Sequence, residues 1–284
     1  KSAFEILKDL EKANPMNRLL NGDVGSGKTV VAAIAVLQVM TAGYQIAIMA
    51  PTEVLARQHL ETFKNLFKDF GLGIALFTNS YKFLGDMEES RLSMLKKISD
   101  GQATLVIGTH AIIQKDVRFK NLALVIVDEQ HRFGVAQRAY LHQETMEAKD
   151  GQKSTVPHLL TMTATPIPRT LAIAFSGSLD ISILDEMPKD RKKIITKIVP
   201  PEGRQEIYNF IRAEVKTGRQ AFVILPLIEE SKVLTELKAV KTEYEKLVKI
   251  FPEFKIGLLH GKMKSREKEL VMQEFSAQGG SALG

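Results

Sequence analysis

Residues 21–31 read NGDVGSGKTVV, a stretch with three glycines and one lysine directly behind the apolar pair Leu19 and Leu20. Glycines let the chain curl so that successive backbone amides point inward onto phosphate oxygens, and a helix that starts there adds the positive end of its dipole. Gly22, Asp23, Val24, Gly25, Ser26, Gly27, Lys28 and Thr29 fit the pattern G-x-x-x-x-G-K-[ST] in full. They follow a predicted strand over Met16–Leu20 and precede a predicted helix from Val30, the context this pattern needs. The pattern directs Lys28 to the β and γ phosphates of a nucleoside triphosphate and the Thr29 hydroxyl to magnesium. The bland alternative, a glycine-rich connecting turn, leaves the Lys-Thr pair at the helix start without a reason.

Short β-branched runs then alternate with helical spacing. Strands are predicted at Gln45–Met49, Gly73–Phe77, Thr104–Ile107, Ala123–Val127 and His158–Met162, and the start, KSAFEILKDLEK, has an amphipathic helical pattern. Runs such as LVIG and ALVIVDE are apolar on both faces, as parallel strands covered by helices on both sides must be. The fold class is therefore α/β with a doubly wound parallel sheet. The charged, proline-containing stretch LDEMPKDRKKI, residues 184–194, marks a boundary between residues 1–190 and 191–284. Beyond it strands are predicted at Gln220–Leu225 and Lys255–Leu259, with helices at Leu234–Ile250 and Ser265–Phe275. Two or three strands are fewer than a doubly wound sheet normally has, so the second domain reads as incomplete and SAQGGSALG as a truncated or appended end.

A phosphate cradle alone serves kinases, GTPases and motors alike. The stretch LALVIVDEQH, residues 122–131, is an apolar strand ending in adjacent carboxylates. Asp128 is placed to hold magnesium, directly or through water, and Glu129 to orient and deprotonate an attacking water. Hydrolysis is the chemistry this pair implies. A kinase has no need of the second carboxylate, and no guanine-reading segment stands out. A carboxylate pair that merely ends a strand is the competing reading.

Composition is permissive. The chain has 284 residues, 44% of them hydrophobic, no cysteine and a formal charge of +6. Disulfides and thiolate metal sites are excluded, a reducing cytoplasm is expected, and no apolar run reaches the roughly 18 residues that span a bilayer. The basic excess allows a polyanionic partner without demanding one.

GDVGSGKT, MAPTEVLARQH, GTHAII, DEQHRFGVAQR and TATPIPRTLA, in that order, resemble the successive motifs of superfamily-2 DNA helicases. DEQHRFGV, TATPIPRT, LPLIEES and LLHGKM resemble most the RecG-type branch, which acts on branched DNA; the transcription-repair coupling factors share much of the pattern. The resemblance implies two RecA-like domains, ATP and magnesium as cofactors, branched or forked duplex DNA as partner, and a monomer. It assigns Thr52, Arg57 and Gln58 to the DNA backbone track, with Thr109 and His110 as a second phosphate contact. Thr52 is equally placed to cap a helix. Gln130 and His131 are implied to couple the nucleotide to the second domain, and Thr163 and Thr165, read as hydroxyls facing the cleft, to link nucleotide state to domain closure. Arg169 is left between DNA, nucleotide and a salt bridge. The family's trans-acting arginine, its adenine-reading segment and its junction-gripping wedge have no counterpart within residues 1–284, so weak turnover of this stretch alone is expected. The competing class is a non-motor P-loop protein, a nucleotide switch or small-molecule kinase, in which PTEVLARQH and GTHAII are connectors.

Overall fold

The computed structural model describes residues 1–129, 156–164, 179–185, 194–225 and 233–279. The chain divides into two compact units, Lys1–Arg191 and Lys192–Gly284.

In the first unit helix α1 (Ser2–Leu10) leads into β1 (Asn17–Gly22), α2 (Lys28–Thr41), β2 (Gln45–Met49), α3 (Glu53–Leu66) and β3 (Ile74–Phe77). There follow β4 (Lys82–Leu84), β5 (Met87–Glu88), α4 (Arg91–Ser99), β6 (Leu105–Gly108), a 3-10 turn at His110–Ile113, β7 (Leu122–Asp128), β8 (His158–Thr163) and β9 (Asp180–Leu184). The strands form a nine-stranded sheet in the order β5-β4-β3-β6-β2-β7-β8-β1-β9. Every pair from β3 to β9 is parallel; only the β3-β4-β5 edge is antiparallel. The predicted strands of this unit all appear, shifted by a residue or two at their ends. β4, β5 and β9 were not anticipated: the first two are very short and only partly buried or exposed, and β9, at the sheet edge, buries only its central residue and so lacks a continuous apolar run.

Alternate strand residues serve opposite faces. Leu20, Ile46, Ile48, Leu105, Ile107, Leu124, Ile126 and Leu160 pack with Ile6 of α1, Val36 of α2 and Leu60 and Phe63 of α3. Ala47, Met49, Ala75, Phe77, Val106, Val125 and Val127 pack with Met94 and Ile98 of α4 and with Ile112. Both sheet faces are thus buried, which is why the strands read as continuous apolar runs.

Polar pins fix the layers. Gln45 is 1% exposed; its Nε2 donates to the carbonyls of Ile98 and Ala103, and its Oε1 accepts from the amides of Lys120 and Asn121. At the other side of the sheet the Met16 amide donates to His158 Nδ1 at 2.9 Å. Burial pushes the His158 pKa below the ordinary histidine value of 6.5, against a smaller upward pull from the Asp9 charge. The acceptor role of Nδ1 fits the neutral ring, since protonation would set two N–H groups face to face. In acid the unfolded chain takes up a proton at His158 before the folded one does, so stability must fall as pH drops below about 6.5. Urea midpoints at pH 7.5 and 5.5 should show this loss, and His158→Asn, which keeps an acceptor near Met16, should reduce it.

The second unit, described by itself, contains a 3-10 turn at Pro201–Gly203 and helices α5 (Arg204–Lys216), α6 (Val233–Ile250) and α7 (Ser265–Gly279). Phe251 is its best-buried aromatic ring, set edge-on to Tyr208 at 5.6 Å and covered by the Arg212 guanidinium at 5.2 Å. Arg212 also bonds Glu253 at 2.5 Å and the Ile250 carbonyl at 2.7 Å. The strands expected at 220–225 and 255–259 carry no ladder, and the described residues of this unit include no strand. An extended segment becomes a strand only when a neighbour takes up its backbone N–H and C=O groups; here Gln220 bonds the Phe275 carbonyl through its side chain instead, and Phe222 packs on the Phe275 ring at 4.6 Å. No described helix is long and apolar enough to cross a membrane.

Candidate active site

The site is built on one edge of the sheet. Gly22 closes β1, and a Cβ there would stand 2.5 Å from Ser26 Oγ and 2.9 Å from Leu184 Cβ, so only glycine lets the loop fold back on the sheet. Gly25 and Gly27 take φ of 80° and 90°, conformations that L side chains rarely adopt, and Gly27 is the N-cap of α2. The Ser26 amide donates to the Asp23 carbonyl and the Val24 amide to Asp23 Oδ1, which turns the loop tightly. Lys28 lies in the first turn of α2, one residue later than the cap and two before the predicted start. Its Nζ donates to the carbonyls of Gly22 at 2.6 Å and Asp23 at 2.8 Å, so the ammonium is held across the loop's mouth. Buried Ser26 Oγ has no hydrogen-bond partner among the described residues. A glycine-shaped loop at a helix start, with a bridging ammonium and an unsatisfied hydroxyl, suits polyphosphate oxygens.

Strand register carries the acidic pair to the same edge. Asp128 of β7 stands level with Met162 of β8, and Met162 with Leu20 of β1, just before the loop. The Glu129 amide donates to the Met162 carbonyl at 3.0 Å, and Glu129 is the one described non-glycine residue with positive φ, at 55°. A glutamate there is held in a sparsely populated conformation by its surroundings, which is where functional sites store backbone strain. Among the described residues no cluster of three or more His, Asp or Glu side chains could hold a metal. Magnesium in nucleotide sites needs fewer, since it keeps several waters and takes phosphate oxygens with one or two protein groups. Asp128 and the Thr29 hydroxyl fit that donor set.

Further along the same edge, Met49 of β2 is level with Val127 and with Gly108 of β6. The segments after these strands therefore begin beside the acidic pair, on the side away from the phosphate loop. Thr52 caps α3, its hydroxyl accepting from the Leu55 amide at 3.3 Å, so the capping role is realised and a phosphate would meet its backbone rather than an idle hydroxyl. Arg57 lies over the Tyr81 ring at 5.1 Å, and Gln58 is exposed beside it. Thr109 precedes the 3-10 turn and His110 is exposed. Thr163, the last residue of β8, is 0% exposed and stands level with Asn21 at the end of the β1-β8 pairing. Gln130, His131, Thr165 and Arg169 lie outside the described residues.

One contact had no counterpart in the sequence reading. His59 Nε2 lies 2.8 Å from Asp128 Oδ2. The available signal was its position: Ala56, His59, Leu60 and Phe63 are the buried stripe of α3, and His59 is the polar member.

A doubly wound parallel sheet whose first strand opens into this loop, with a carboxylate pair on the same edge, defines a RecA-like P-loop nucleotide-binding domain. Within that class the chain belongs to the DEAD/DEAH box helicase family, whose pattern matches residues 3–173. It is 49% identical over 275 residues to the ATP-dependent DNA helicase RecG of Aquifex aeolicus, covering 97% of this chain and 33% of that protein. Against the RecG helicase of Bacillus subtilis the identity is 47% over 274 residues, covering 96% and 38%. Among solved structures it is similar to RecG bound to a three-way DNA junction, with 41% identity and a TM-score of 0.71 over 97% of this chain and 34% of that one. The chain spans about a third of the length of the curated relatives it matches.

Proposed function

We propose that this chain is the motor core of an ATP-dependent DNA helicase of the RecG type, hydrolysing ATP to move on duplex DNA and remodel forks and junctions in bacterial recombination and repair. One observation carries the reading: the phosphate loop, the acidic pair and the segments PTEVLARQ and GTHAII leave the sheet on one edge, the carboxylates standing between the loop on one side and both segments on the other. The similarity to RecG over nearly the whole chain supports DNA, and branched DNA, as the partner.

In this reading the amides of Gly22–Thr29 and the Lys28 ammonium bind the β and γ phosphates. Thr29 and Asp128 hold magnesium, which when bound neutralises phosphate charge and polarises the terminal phosphoryl group. Glu129 orients the attacking water and accepts its proton. Thr52, Arg57, Gln58, Thr109 and His110 form a track on the DNA backbone, which fixes position without reading bases. Residues 1–190 and 191–284 belong to two RecA-like domains, the chain acting as a monomer. Gln130, His131, Thr163, Thr165 and Arg169 carry the state of the γ phosphate to the second of them, so that hydrolysis moves one DNA contact surface against the other.

The test is ATP turnover by the full-length protein with and without forked DNA. A motor is stimulated by the fork; a nucleotide switch or metabolic kinase shows no response, and that result would overturn the reading. Lys28→Ala removes a charge-assisted contact of about 1.5–3 kcal/mol, so its affinity for a slowly hydrolysed ATP analogue should fall by roughly 10- to 100-fold in an isothermal titration.

A further inference from the structure

We propose that His59 is a positioning residue that ties the DNA-facing helix α3 to the carboxylate of Asp128; this rests on the motor reading above. The bond is short, 2.8 Å between Nε2 and Oδ2, and both side chains are largely withdrawn from solvent, at 11% and 15% exposure. An ionised carboxylate only accepts hydrogen bonds, so Nε2 carries the proton and donates. Held through Oδ2, the carboxylate keeps its other oxygen to offer to a metal or a metal-bound water. Partners that orient a metal-holding group typically account for 10- to 100-fold in metal affinity or activity.

The neighbours of His59 give the bond a second meaning. Gln58 and Arg57, the proposed backbone contacts, directly precede it on the same helix. Ala56, Leu60 and Phe63 lock that helix against the sheet, and the Phe63 ring lies 6.4 Å from the imidazole. A phosphate held by Arg57 and Gln58 is thereby linked, through one turn of helix and His59 Nε2, to the Asp128 carboxylate. The reverse path is equally direct: a change at Asp128 reaches the DNA track through one side chain and one turn of helix.

Two substitutions separate positioning from packing. Leucine suits the apolar stripe but cannot donate; glutamine suits it less well, but its Nε2–H₂ group can reach the carboxylate. The full-length variants would be compared for the magnesium concentration that half-saturates binding of a fluorescent, slowly hydrolysed ATP analogue, for fork stimulation of turnover, and for thermal midpoint. His59→Leu should raise the magnesium half-point by about 10- to 100-fold and lower the stimulation ratio, and His59→Gln should restore part of both. Should His59→Leu fail to fold, His59→Asn, too short to reach Asp128, takes its place with the same expectation. A wild-type magnesium half-point in a folded His59→Leu or His59→Asn protein overturns the proposal, as does an unchanged stimulation ratio or a Gln variant more impaired than the Leu one. Absence of fork stimulation in the wild-type protein would instead refute the motor reading itself.

Discussion

Replacing Glu129 with glutamine should lower ATP turnover by about 10²- to 10⁴-fold, the range associated with losing a general base, while magnesium-dependent nucleotide binding persists. The amide is nearly isosteric with the carboxylate but cannot accept a proton from water. The phosphate loop, to which the proposal assigns nucleotide contacts through backbone amides, Lys28 and Thr29, is untouched. The fixed geometry makes the effect severe: with φ at 55° and its amide bonded to the Met162 carbonyl, Glu129 is not free to let a neighbour take its place. Single-turnover kinetics with the full-length protein and an equilibrium titration with the slowly hydrolysed analogue check the two halves separately. Retained turnover would remove Glu129 from the chemistry; lost binding would show that the substitution had disturbed the loop.

The same residues show what a linear reading captures. The phosphate loop was legible because its physics is local: glycines with positive φ, a helix start and a lysine lie within a few residues. The acidic pair was legible because an apolar strand announces its own end. The central strands were legible because burial on both faces leaves them apolar throughout. What escaped is set by contacts between distant parts of the chain. β9 is a strand because Arg18 to Gly22 lie alongside it, at Asp180 to Leu184. His59 meets Asp128 across 69 residues, and nothing in either neighbourhood names the other. Thr163 ends its strand level with Asn21 and is fully buried there, which its own neighbours in the sequence do not announce. In the second unit the runs at 220–225 and 255–259 have strand composition without a ladder, since composition supplies the side chains and only a neighbour supplies the hydrogen bonds.

The largest effect on stability should come from Arg18. It is 9% exposed near the start of β1, and its Nε and Nη2 hold Asp9 of α1 at 2.7 and 2.6 Å. Nη1 donates to Ser182 of β9 at 2.9 Å, and Ser182 donates on to Glu5 of α1 at 2.6 Å. One guanidinium thus joins the first helix, the first strand and the edge strand. Burial alone would raise the Asp9 pKa, but hydrogen bonds from Lys12 and Arg18 and their charges outweigh it, leaving the carboxyl below its usual 3.8. Arg18→Met keeps the stem and removes the charge, stranding a buried carboxylate; breaking such a pair from one side costs about 3–5 kcal/mol. Lys12 still reaches Asp9 at 2.7 Å from a mostly exposed position, which favours the lower end. At roughly 2–4 °C per kcal/mol for a unit of this size, thermal unfolding of the first unit should come about 10 °C earlier. Adding Asp9→Leu should recover much of the loss, because no charge is then left without a partner. The pH dependence gives an independent check. A carboxyl whose folded pKa is depressed contributes stability above its unfolded value and loses it as the pH falls through the folded one. The gap between wild type and Arg18→Met should therefore be full at neutral pH and close below about 3.8, a trend that a loss of packing alone would not produce.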